Sequence, residues 1–158
     1  MVSKIGAVLS GRIRDELSEL AMVVDRAEQG WRRAKTQHDD FYLDGVALNL
    51  HSFYSGLEHV FEKIASLVDE SIPTGANWHQ ELLRQMNIEV PGVRPAVISA
   101  ELRTELEEYR GFRHIVRNVY TYQLNPEKLE RLITMLRETL SRTERELLAF
   151  AKFLESAE

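Results

Sequence analysis

Apolar residues recur at steps of three and four along nearly the whole chain, the period of a helix with one buried face. Ile5, Leu9, Ile13, Leu17, Leu20, Val24, Ala27, Trp31 and Ala34 define a long amphipathic first helix. The polar run TQHDD at 36–40 predicts a turn. Beyond it Val46, Leu50, Phe53, Leu57, Phe61, Ile64 and Leu67 or Val68 form one stripe of a second helix from Phe41 to Val68, with Tyr54 beside it. Each of these helices is expected to reach about 25–30 residues, or roughly 40 Å at 1.5 Å per residue.

Pro73 and Gly75 in DESIPTGAN break the pattern. NWHQELLRQMN predicts a short helix capped by Asn77. IEVPGVRPAVIS, with Pro91, Gly92 and Pro95, reads as a loop that presents Arg94. Ser99 is placed to cap a fourth helix running through AELRTELEEYRGFRHIVRNVY, residues 100–120. LNPEK then restarts the chain, with Asn125 as cap, Pro126 at the first helical position and Glu127 in the first turn. The last helix carries Leu129, Leu132, Ile133, Leu136, Leu140, Leu147, Phe150, Ala151 and Leu154. No stretch alternates with a period of two. The expected fold is all-α: an up-down bundle of four long antiparallel helices plus one short helix, in a single domain over 1–158.

A chain of 158 residues can bury a core without covalent staples. Hydrophobic residues at 44% and charged residues at 28% give the balance of a folded protein and not of a disordered one. The net charge of -5 argues against wholesale coating of nucleic acid, which is mostly phosphate neutralisation by Lys and Arg, but leaves room for a local basic patch. The chain has no cysteine, which excludes disulfides and thiol catalysis and fits the cytosol. No apolar run approaches the roughly 20 residues of a membrane span. Arg12, Arg14, Asp15 and Glu16 follow the N-terminal apolar patch too closely for a signal peptide. Phosphate-binding glycine loops, GxSxG, HExxH and ExxH are absent. A cytoplasmic protein away from membranes, with no cofactor and no metal site, is expected.

One stretch departs from this acidic body. YRGFRHIVRNVYTYQL, Tyr109–Leu124, gathers three arginines, a histidine and three tyrosines. On a helix Arg110, Arg113, His114 and Arg117 share one face, and Tyr120 falls there too. Phe112, Ile115, Val116 and Val119 are left for the core. Two readings stand open. Carboxylates answer the guanidiniums, from Glu105, Glu107 and Glu108 upstream or from Glu58 and Glu62 across the bundle. Alternatively the face meets an anion such as phosphate, which guanidinium grips in a bidentate manner. Trp78 and His79 on the short helix edge the same region, Trp78 as a packing residue. His51 and His59, eight apart, read as core or solvated histidines and not as metal ligands.

FRHIVRNVYTYQL, together with SGLEHVFEKIA in the second helix, resembles the HEPN superfamily and, within it, the HepT-like branch. The branch's hallmark is R-x4-H-x-Y. Arg113 matches the arginine and Tyr120 the tyrosine, while Asn118 stands where the histidine belongs. The resemblance implies a helical bundle that forms a homodimer around a composite cleft, metal-independent cleavage of RNA, and a minimal nucleotidyltransferase antitoxin that transfers AMP to the tyrosine. Carried over, Arg113 grips the scissile phosphate, Tyr120 is the modification target or a cleft contact, and Glu58 matches an acidic supporting position; Arg110 and Arg117, on the same basic face, are expected to bind RNA phosphates. Asparagine can hydrogen-bond but cannot shuttle a proton, whereas imidazole titrates near neutrality and can. His114, His51 and His59 are the candidate substitutes for that task. In an unbroken helix Asn118 lies about 140° around from Arg113, five residues at about 100° each. A ribonuclease toxin or its weakened descendant is thus weighed against a non-catalytic nucleotidyltransferase partner and a purely structural dimeric bundle.

Overall fold

A computed structural model describes residues 3–157. Its helices are α1 (Lys4–Gln37), α2 (Phe41–Ile64), α3 (Trp78–Met86), α4 (Ala100–Asn118) and α5 (Pro126–Ser156). The described residues contain no strand, only an isolated bridge between Val90 and Arg94.

Local signals set most of the boundaries. Ser3 caps α1 by accepting the Gly6 N–H at 2.9 Å, and His38 ends it in the left-handed region at φ 50°. Ser99 Oγ accepts the Leu102 N–H at 3.1 Å, and Asn125 Oδ1 accepts the Glu127 N–H at 2.9 Å. Each cap satisfies a first-turn donor that the helix itself cannot. Asn77 does occupy the position before α3, yet its side chain makes no capping bond.

Pairings between helices give their directions. Ser10 and Arg14 of α1 meet Glu155 near the end of α5, while Asp25 and Glu28 meet Arg137. On α4, Ser99 meets Glu146 and Tyr109 donates to the Leu132 carbonyl at 2.7 Å. Glu58 of α2 meets Arg113 of α4. Rising residue numbers on α1 and on α4 face falling numbers on α5, and the three-residue connection between α1 and α2 reverses the chain, so α1, α2, α4 and α5 alternate in direction around a four-helix bundle, and α3 packs on α2 and α4. The shared core includes Ile13, Leu20 and Val24 of α1, Leu50, Phe53 and Phe61 of α2, and Leu132, Leu136 and Leu147 of α5.

Four expectations change. Ile5 is exposed, because the stripe of α1 begins to be covered only at Gly6 and Leu9. The second helix ends at Ile64 in a π-helical turn, Ala65–Asp69, which leaves Leu67 exposed. The fourth helix stops at Asn118, since Val119 is extended at φ -134° and ψ 160°. Its buried stripe is Leu102, Leu106, Tyr109, Phe112 and Arg113. Ile115 at 44% exposure and Val119 at 38% lie outside the core assigned to them.

Candidate functional site

The stripe of α4 therefore places a guanidinium where an apolar side chain would continue. Arg113 is only 8% exposed, and a buried cation is stable only when paired and hydrogen-bonded. The partner is Glu58, itself buried on α2, with Nη1 to Oε1 at 2.8 Å. Ser55, one turn earlier on α2, accepts from Nη1 at 3.3 Å. The Tyr54 ring lies 5.7 Å from the guanidinium carbon, close enough for attraction between cation and ring face.

A third side chain completes the group. His79 Nδ1, from the first turn of α3, lies 2.7 Å from Glu58 Oε2 and 3.1 Å from Arg113 Nη2. The π-helical turn and the segment after it bring α3 back across α2, so an imidazole distant in sequence meets the carboxylate. The pattern of α3 carries a trace of this placement. His79 sits three and four residues before the buried Leu82 and Leu83 and seven before Met86, on the helix's inner face.

Arg113 and His79 open onto a cleft of about 300 Å³ whose other lining residues are Arg110, His114, Arg117 and Asn118. Every lining side chain is a guanidinium, an imidazole or an amide, and none is acidic. Arg110 is bound to Glu107 one turn earlier. Arg117 and His114 are exposed and form no ion pair among the described residues. Asn118 reaches the rim, but its Nδ2 donates to the His114 carbonyl at 2.6 Å. Tyr120 does not line the cleft. It is 72% exposed and its ring stacks on Tyr122, with centroids 5.9 Å apart.

The carboxylate reading of the basic face thus holds for Arg110 and Arg113, through Glu107 and Glu58, and leaves Arg117 unanswered. Among the other histidines, His51 is half-buried. Burial first, then the charges of Arg113 and Arg117, push its imidazole below the ordinary value. His59 lies on the α1 side of α2, near Glu16. Among the described residues no group of three His, Asp or Glu side chains is placed to share a metal ion, and no helix is long and apolar enough to cross a membrane.

Fold and site together define an all-α bundle in which an arginine near the end of the fourth helix, held by a glutamate of the second, faces a basic cleft. The chain belongs to the HepT-like family: the family model described as HepT-like protein matches residues 45–154, from α2 through most of α5. No curated protein and no solved structure matches it.

Proposed function

We propose that the chain is the RNA-acting toxin component of a HEPN/HepT-type pair, a cytoplasmic metal-independent endoribonuclease that works as a homodimer and is countered by a minimal nucleotidyltransferase. The observation that carries this reading is Arg113, held by Glu58 against a cleft with no acidic lining. A phosphate is the complement of such a cleft, and a preorganised cation stabilises the charge that grows on phosphate oxygens as a bond to phosphorus breaks. Arg113 takes the scissile phosphate and Arg110 and Arg117 the flanking ones. His114 and Asn118 contact the RNA at the rim. Tyr120, exposed beyond the helix end, is the acceptor of AMP from the antitoxin.

The test is cleavage of total RNA and tRNA in EDTA by wild type and Arg113→Ala. Wild type is expected to cut, and the variant to be slower by about 100-fold or more, the range for losing one such stabilising group.

One observation favours a second reading, a non-catalytic partner of the nucleotidyltransferase. The motif position holds Asn118, which is occupied by the His114 carbonyl and cannot move a proton. Equal inertness of both proteins toward RNA, with capture of a nucleotidyltransferase by wild type, would establish this alternative.

A further inference from the structure

We propose that His79, oriented by Glu58, is the acid–base residue of RNA cleavage, in place of the histidine absent at Asn118; this inference rests on the ribonuclease reading above. One nitrogen of His79 has two candidate partners. His79 Nδ1 is within hydrogen-bonding distance of Glu58 Oε2 and of Arg113 Nη2. A ring nitrogen is either a donor or an acceptor. The carboxylate requires a donor there and the guanidinium an acceptor, so only one contact is a hydrogen bond. The carboxylate contact is the shorter, 2.7 Å against 3.1 Å, and is charge-assisted. Nδ1 therefore carries the proton and donates it to Glu58. The lone pair is then on Nε2, and an imidazole whose other nitrogen is held by a carboxylate is oriented as a base.

The same choice frees the arginine. Without Nδ1 as acceptor, both Nη2 hydrogens and the Nε hydrogen of Arg113 have no acceptor among the described residues, while Nη1 stays on Glu58 and Ser55. A proton acceptor and a cation with open donors thus stand side by side on one cleft. No other imidazole among the described residues combines a carboxylate hydrogen bond with a place on that cleft: His114 lines it without such a bond, and His38, His51 and His59 do not line it.

The reaction is a transesterification within the RNA. Nε2 takes the proton of the 2′-hydroxyl, the 2′-oxygen forms a bond to the adjacent phosphorus, and the bond from phosphorus to the 5′-oxygen breaks. The imidazolium returns its proton to the departing 5′-oxygen. The products are a 2′,3′-cyclic phosphate and a 5′-hydroxyl, with His79 again neutral. Arg113 offsets the charge on the phosphate throughout.

The experiment uses the full chain with tRNA in EDTA and compares wild type, His79→Asn, His79→Ala and Arg113→Ala. Asparagine keeps an N–H where Nδ1 stands and removes Nε2; should His79→Asn not fold, His79→Gln replaces it. His79→Asn is expected to bind the tRNA as wild type does and to cut it about 100-fold more slowly or worse, the usual share of general acid–base catalysis. Added imidazole is expected to restore cleavage to His79→Ala and none to Arg113→Ala, a rescue that a merely structural role would not give. Cleavage by His79→Asn at the wild-type rate, with Arg113→Ala inert, overturns the assignment of His79 and leaves the ribonuclease standing. A wild type that does not cut overturns the ribonuclease reading, and this inference with it.

Discussion

Arg94 and Arg113 are both buried, and both reach a carboxylate contributed by α2 or the turn that ends it, yet they are built for different ends. Arg94 gives Nε and Nη2 to the two oxygens of Asp69, at 2.6 and 2.7 Å. Its remaining donors go to the carbonyls of Ile88, Pro95 and Gln85, at 2.8, 3.0 and 3.1 Å. Five donors meet five acceptors, and the end of α3, the loop after it and the π-helical turn are tied together. Arg113 shares its carboxylate with an imidazole and retains donors beside an open cleft. Burial of an arginine therefore says little about function. The donors that the protein leaves unused say more.

The largest effect expected from breaking this contrast is on stability. Arg94→Ala leaves the buried Asp69 carboxylate with only the neutral Gln85 amide, at 2.9 Å, in place of a guanidinium, and loss of one member of a buried pair costs about 3–5 kcal/mol. Arg94→Lys is expected to recover little of that loss, because an ammonium cannot span both oxygens while also reaching three carbonyls. Urea melts of the two variants against wild type measure both values. Arg113→Ala is expected to cost less, about 1–3 kcal/mol, because Glu58 keeps His79 and gains access to water through the cleft. Equal losses for Arg94→Ala and Arg113→Ala would make Arg113 another structural tie.

An anion sharpens the same comparison at a smaller scale. Inorganic phosphate at about ten times its dissociation constant stabilises the folded state by about 1.4 kcal/mol if it binds only that state. The shift in thermal midpoint is expected in wild type and in Arg94→Lys, and to vanish in Arg113→Ala. A shift that survives Arg113→Ala would place the anion elsewhere on the molecule.

The contrast also marks what could be read from the chain. The helices and their caps were legible, since Ser99 with Leu102 and Asn125 with Glu127 act within a few residues. The inner face of α4 was legible only as far as Phe112. Beyond it Arg113 and Val116 compete with Ile115 at helical spacing, and the choice is made by Glu58, a residue of another helix. Arg94 looked like a presented loop cation because its carboxylate lies 25 positions away, in a π-helical turn that apolar periodicity does not signal. The sequence places His79 at the edge of the region, but its link to Glu58 depends on how the segment between Asp69 and Trp78 folds back. Long-range pairing of charged groups is the step at which periodicity stops informing.

The smallest effect isolates the field of Arg113 from its contacts. His51 is pushed below its ordinary value first by burial and then by Arg113 and Arg117. Removing Arg113 is expected to raise the His51 midpoint in an NMR titration but not to restore it to the ordinary value of about 6.5, because burial, the larger cause, remains. The sign for stability follows. The unfolded chain binds a proton at His51 before the folded one does, so this contribution is whole above the ordinary value. It declines as pH falls from there to the lowered folded value. Arg113→Ala narrows that window from its lower end and should therefore lose less stability than wild type when both are taken from neutral to mildly acidic pH. An unchanged His51 midpoint in the variant would mean that the Arg113 charge is already neutralised by Glu58 as seen from the cleft, and the open side of this arginine would then be electrostatically as closed as that of Arg94.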